Sequence, residues 1–244
     1  MFQQLLKKQT KLSKDYKNIK VIGFDADDTL WVNETNYREA ENEFAKLLSA
    51  YETPNKIYQE LFKKEMEDLH LYGYGVKSFV LSMIESAIEI SNNSISNNAI
   101  QNIIDIGKEM INKPVELLEG VEEVLDALSS KYRLIMATKG DLLDQERKLK
   151  KSGLAKYFHH IEVLSDKQEA NYLQLLNHLD IDPSEFLMIG NSLKSDVLPL
   201  INIKARAIHV PYHTTWEHEQ VNDEETNGKI YKTIPNLTQV LNLL

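Results

Sequence analysis

The chain has no cysteine, which excludes disulfides, thiolate nucleophiles and zinc-thiolate centres together. It has no apolar run approaching the roughly 18 residues of a membrane span, and its N-terminus carries lysines without the apolar stretch of a signal peptide. A cytoplasmic protein without membrane contact is therefore expected. Positive charge is in short supply: 28 Lys and Arg stand against 37 Asp and Glu, a net charge of −9. That balance excludes a general nucleic-acid binder, whose phosphate-backbone affinity needs clustered cations. The one basic stretch, with Lys7, Lys8, Lys11, Lys14, Lys17 and Lys20 against Asp15, is expected to form a solvated amphipathic lead-in helix. Internal repeats and low-complexity tracts are also missing. So is a Gly-x-Gly-x-x-Gly loop after the first strand, which argues against a Rossmann-type pyrophosphate site.

What is present is an ordinary globular composition, 42% hydrophobic and 27% charged over 244 residues, enough for a core domain carrying a smaller insertion. Short apolar runs recur at Val21–Phe24, Arg133–Ala137, His160–Leu164, Phe186–Gly190 and Ala205–Val210, the pattern of buried parallel strands. Segments with helical spacing separate them, such as Val121, Val124, Leu125 and Leu128, then Tyr172, Leu175, Leu176 and Leu179. This alternation predicts an α/β fold, a doubly wound, Rossmann-like parallel sheet with ligands beyond the C-terminal strand ends. From about Asn36 to Asn112 the pattern instead stays helical, with breaks near Thr53-Pro54, Gly73-Tyr74-Gly75 and Ser91-Asn92-Asn93. The expected organisation is a core over residues 1–32 and 114–244, and an inserted unit of four helices over 33–113.

The chemistry-bearing residues gather at the ends of the predicted strands. The first loop supplies Asp25, Asp27 and Thr29, the second Thr138, the third Lys167, and the fourth Asn191, Ser192 and Asp196. Two carboxylates two residues apart on an extended strand end project to one side, so Asp25 and Asp27 can act on one substrate in different roles. Asp25 is the candidate nucleophile, forming an aspartyl-phosphate. Asp27 is the candidate acid/base, donating a proton to the leaving oxygen and later taking one from water. Charge on the phosphoryl oxygens needs a hard cation, a lysine and a hydroxyl. Asp25 and Asp196 are the expected magnesium ligands, with Asp27 and Asn191 alongside, and Thr138 and Lys167 are the expected phosphate contacts. Lys139 is a further expected substrate contact, and Lys139 and Lys194 are the neighbours that could substitute for Lys167.

In the order of these motifs the chain resembles the haloacid dehalogenase-like (HAD) hydrolase superfamily over nearly its whole length. The first motif, Asp-x-Asp-x-Thr, stands as Asp25-Ala26-Asp27-Asp28-Thr29. The second stands as Leu134-Ile135-Met136-Ala137-Thr138, the third as Lys167, and the fourth as Gly190-Asn191-Ser192-Leu193-Lys194-Ser195-Asp196. The resemblance implies that the helical insertion is a C1-type cap. It also implies a phosphatase, because the family's carbon-halogen hydrolases usually lack the second aspartate and dispense with magnesium. Two positions depart from the pattern: Asp28 replaces a common glycine, and Asn191 replaces a common aspartate, removing one negative charge.

In the cap, Tyr72, Tyr74 and Lys77 could form a loop over the substrate, or Tyr72-Gly73-Tyr74-Gly75 could be a plain helix-helix turn. Trp31 is placed to pack on the cap or on substrate, and the histidines show no ligand spacing. The expected substrate is a small phosphorylated metabolite; a sugar phosphate, a nucleoside monophosphate and a phosphorylated organic acid all stay open, as does oligomeric state. Phosphomutase and 2-haloacid dehalogenase are the alternatives within the superfamily. A phospho-accepting receiver domain is the alternative outside it, disfavoured by chain length and by the large insertion after the first strand.

Overall fold

The computed structural model describes residues 16–244, so most of the lysine-rich lead-in expected at the N-terminus lies outside the described residues. Six strands form one parallel sheet: β1 (Val21–Phe24), β2 (Arg133–Lys139), β3 (His160–Leu164), β4 (Phe186–Gly190), β5 (Arg206–His209) and β6 (Lys232–Thr233). Their spatial order is β3-β2-β1-β4-β5-β6. All five strands read from apolar runs are present. The two-residue β6 was not expected, since two residues carry no periodicity.

The strand order reverses direction beside β1, and in such sheets the crevice for ligands opens beyond the strand ends at that point. The register sets Phe24 level with Met136 on one side and with Ile189 on the other. The first and fourth loops therefore leave the sheet as immediate neighbours. β1 and β4 are buried on both faces, which is why they read as unbroken apolar runs. Tyr172, Leu175 and Leu176 of the helix Glu169–His178 pack with Val21, Ile135, Phe186 and Met188. The edge strand β3 is only partly covered, and His160 pairs there with Glu162 at 2.8 Å.

The chain divides into two compact units. The sheet unit runs to Val32 and includes Glu116–Thr138 and Ser152–Leu244; the second comprises Asn33–Val115 and Lys139–Lys151. The second unit contains the four expected helices, α1 (Glu34–Leu47), α2 (Pro54–Tyr72), α3 (Val76–Ile90) and α4 (Asn97–Asn112). Pro54 opens α2 at a position where its missing N–H costs nothing, and Ser96 caps α4 by accepting from Ala99 N at 3.1 Å. Phe44, Leu48, Ile57, Leu61, Phe79, Met83, Ala87 and Ile103 form this unit's own core.

The segment 139–151 was expected with the sheet but groups with the helices. Its cations explain this. Lys139 Nζ lies 4.3 Å over the Tyr74 ring, Lys148 donates to Asn33 Oδ1 at 2.8 Å, and Lys151 donates to the carbonyls of Ile111 and Lys113 at 3.2 Å each. Those carbonyls lie at the C-terminal end of α4, where unsatisfied acceptors attract cations. Asp141 adds an ion pair with Lys77 at 2.8 Å. Among the described residues, no helix is long and apolar enough to cross a membrane.

Gly107 sits inside α4 despite its poor helix propensity because a Cβ there would overlap the Val80 Cγ2 methyl of α3. Gly107→Ala gains about 1 kcal/mol of helix propensity but overpacks a β-branched neighbour at about 1–3 kcal/mol. Net destabilisation is expected in urea denaturation, and a variant more stable than wild type would show that the two helices separate freely.

Candidate active site

The sheet unit brings Asp25, Thr29, Lys167, Asn191, Ser192 and Asp196 to one place through a chain of short contacts. Lys167, buried just before the helix Glu169–His178, extends its ammonium to Asp25 Oδ1 at 2.5 Å and to Asp196 Oδ1 at 2.6 Å. One cation thus sits between two buried carboxylates drawn from the ends of β1 and β4. The Asp25 carboxyl is raised to about 7, the net of burial that pushes it up, Lys167 that pulls it down and Asp196 that pushes it up again. Burial also works against the Lys167 ammonium, but Asp196 and Asp25 outweigh it and hold its pKa well above the usual value. These shifts describe one cluster with one more carboxylate than ammonium, so near neutral pH an added proton goes to a carboxylate and Lys167 stays charged.

Asp196 lies in a π-helical turn, Leu193–Val197, a distortion that occurs often at functional sites. The turn folds its carboxylate back over Gly190, where any Cβ would collide with it. Its second oxygen accepts the Ser192 N–H at 3.0 Å. Both Asp196 oxygens are therefore engaged inside the protein, one by the Lys167 ammonium and one by the Ser192 N–H.

Asp27 carries its own positioning bond, because the Trp31 indole N–H donates to Asp27 Oδ1 at 2.7 Å. Trp31 is only 1% exposed, so it supports Asp27 from within the protein. Asp28 stands at φ 60°, in the left-handed region where glycine is unstrained and aspartate is among the few tolerated substitutes.

A family model for haloacid dehalogenase-like hydrolases matches residues 19–203, a span holding all four loops. The chain belongs to the haloacid dehalogenase-like hydrolase family. A haloacid dehalogenase-like hydrolase from Xanthomonas campestris is 37% identical over 93% of this chain and 92% of that one, with a TM-score of 0.82. A 2-haloacid dehalogenase from Pseudomonas syringae shares the fold at 19% identity and TM-score 0.60, covering 92% of this chain and 97% of that one. A HAD-hydrolase from Bacillus subtilis, described as bound to magnesium, does so at 15% and 0.64, covering 93% and 99%. No curated protein sequence matches.

In this haloacid dehalogenase-like hydrolase, Asn191 marks a point lined with oxygens. One terminal atom of its amide lies 3.2 Å from Asp25 Oδ2, 3.1 Å from the Asp27 carbonyl oxygen and 3.2 Å from Thr29 Oγ1. Hydrogen bonding assigns nitrogen to that position, since an amide oxygen would face two acceptors with no proton between them. Thr29 Oγ1 in turn donates to Asp25 Oδ2 at 3.2 Å. The described residues contain no cluster of three His, Asp or Glu side chains able to hold a metal. The groups that converge here are one carboxylate, one peptide carbonyl, one hydroxyl and one amide, and Asp27 contributes its backbone oxygen.

Thr138 is buried at the end of β2, the strand beside β1. Lys139, Tyr72 and Tyr74 belong to the helical unit: Lys139 covers the Tyr74 ring, and the Tyr72 hydroxyl donates to Glu85 Oε1 at 2.9 Å. Sequence reading missed three groups. Tyr172 donates to the Ser195 carbonyl at 3.0 Å, His209 contacts the Asn191 carbonyl through Nε2 at 3.0 Å, and Glu219 reaches the fourth loop. Burial lowers the His209 pKa, so the neutral ring donates that bond. Tyr172 was legible only as an apolar-face residue, and Glu219 lies in a loop with no motif.

Between its unfolded value of 3.8 and about 7, Asp25 keeps a proton in the folded chain that the unfolded chain has released. Folding stability from this group is therefore full below the lower value and falls as pH rises through the upper one. Asp25→Asn removes that slope. In metal-free urea denaturation the variant should gain steadily on the wild type from about pH 4 to about pH 7, and the difference should level off above that. A difference flat with pH would show that Asp25 does not titrate in that window.

Proposed function

We propose that this hydrolase is a magnesium-dependent phosphatase acting on a small phosphate monoester through an aspartyl-phosphate on Asp25. The observation that carries the reading is Asp27, a second carboxylate two residues from the nucleophile and held by the Trp31 N–H at 2.7 Å. Carbon-halogen cleavage needs no proton donor for a halide, whereas an alkoxide leaving group does.

In the first step an Asp25 oxygen attacks phosphorus, the bond from phosphorus to the ester oxygen breaks, and that oxygen takes a proton from Asp27. In the second step Asp27 takes a proton from water, which attacks phosphorus and releases phosphate with the Asp25 carboxylate restored. Lys167 stays charged throughout and offsets the negative charge of the attacking carboxylate and the phosphoryl oxygens. Thr138, at the end of the neighbouring strand, supplies a hydroxyl donor to those oxygens.

The oxygen-lined point suits magnesium in the kind of its donors. Oxygens around magnesium at about 2.1 Å stand about 3 Å apart, close to the 3.1 and 3.2 Å separations at Asn191. Asp25 Oδ2, the Asp27 carbonyl and the Asn191 amide oxygen, after the amide turns over, would hold the ion, which when bound supplies positive charge to the phosphoryl oxygens. With one carboxylate in the set, and that one shared with Lys167, affinity should be modest.

Phosphate release from an aryl phosphate and a panel of small monoesters should require magnesium and stop on chelation. Asp25→Asn should lose at least about 1,000-fold in kcat, and Asp27→Asn should slow the poorest leaving groups most. Full turnover by Asp25→Asn would end the assignment, and activity indifferent to chelation would favour the dehalogenase alternative. Asn191→Asp restores a carboxylate and should tighten magnesium binding by about tenfold or more in titration calorimetry. Unchanged affinity would remove Asn191 from the metal site.

A further inference from the structure

The four motif loops are joined by a fifth that carries no motif. After β5 the chain passes through Val210 and makes a 3-10 turn at Glu217–Glu219, which brings an acidic side chain back to the fourth loop. Glu219 Oε2 accepts from the hydroxyls of both Ser192 and Ser195, the latter at 2.6 Å. Lys194, between those serines, donates to the His218 carbonyl at 2.7 Å. Three of the four residues from 192 to 195 are thus tied to this loop through their side chains.

The same residues hold Asp196. The Ser192 N–H donates to Asp196 Oδ2, and the Ser195 N–H donates to Ser192 Oγ, each at 3.0 Å. Asp196 Oδ1 holds Lys167 at 2.6 Å, and Lys167 holds Asp25 at 2.5 Å. A continuous path therefore runs from Glu219 through the serines and Asp196 to the cation beside Asp25.

We propose that Glu219 is a positioning residue for the reaction: by gripping the two serine hydroxyls it fixes the π-helical turn, and so fixes Lys167 against Asp25. An ionised carboxylate suits this task because it accepts both hydroxyls without needing a donor, and bonds to a charged acceptor are shorter and stronger. A π-helical turn is rare, and here the ties to Glu219 brace it from a neighbouring loop. A misplacement of about 1 Å in a reacting group can cost about 100-fold in rate. The effect on turnover rests on the phosphatase reading; the effect on Lys167 does not.

The test is a cycle on the full chain, comparing Glu219→Ala in the wild type and in a Ser192→Ala/Ser195→Ala background that keeps the backbone donor to Asp196. Glu219→Ala should lower kcat by about 10- to 100-fold with KM nearly unchanged, and Glu219→Gln, which keeps an acceptor oxygen, should recover much of the loss. In the serine-free background, Glu219→Ala should cost less than about twofold more. Losses that multiply across the cycle, or full turnover by a folded Glu219→Ala, would overturn the proposal. Amine labelling read by mass spectrometry gives an arm that needs no substrate. Lys167, 2% exposed, should become labelled at least about tenfold faster in Glu219→Ala while Lys64 is unaffected. If no ester is hydrolysed by the wild type, the phosphatase reading fails and this arm alone decides. Unaltered Lys167 labelling in a folded Glu219→Ala would then sink the positioning role.

Discussion

The ammonium of Lys167 lies buried between the carboxylates of Asp25 and Asp196, and the rest of the site is arranged around that ion triplet. Taking such charges out of water costs several kcal/mol per ion unless geometry and further hydrogen bonds repay it. The structure supplies these. Asp25 has Thr29, Asp196 has the Ser192 N–H, and Lys167 has both carboxylates. Because the triplet carries a surplus negative charge, the cluster attracts either a proton or a cation. The raised Asp25 carboxyl is the first response, and the oxygens beside Asn191 offer a place for the second.

The sheet exists, for this purpose, to bring β1 and β4 side by side. Their register makes Phe24 and Ile189 neighbours, so Asp25 and Asn191 meet although 165 residues lie between them in sequence. Glycine at 190 and a π-helical turn after it allow Asp196 to fold back onto the strand end. At Asp28 the backbone takes a left-handed conformation that aspartate tolerates. The strain is accepted at the turn that carries the acidic pair, a common location for it.

Asn191 changes the character of the oxygen-lined point. An aspartate there would set two carboxylates facing each other in a cation-free chain, a like-charge contact that requires a counter-ion. The amide can instead satisfy the same oxygens with its own N–H groups. In the proposed magnesium site the same replacement removes one ligand charge.

Sequence alone determined five of the six strands and singled out the candidate reacting groups. Apolar runs ending in Asp25, Thr138 and Asn191 are local patterns, and each is a direct consequence of a buried strand meeting a polar loop. The four helices of the second unit were legible for the same reason, from apolar spacing and from breakers at Pro54, Gly73 and Asn92-Asn93. Tertiary structure decided which atom does what. That Asp196 holds Lys167, that Asp27 offers its carbonyl while Trp31 takes its carboxylate, and that Glu219 grips the serines are all matters of direction and distance. So is the grouping of segment 139–151 with the helices. Residue type sets what a side chain can bond, but only the packed fold chooses its partner among the several that chain order leaves open.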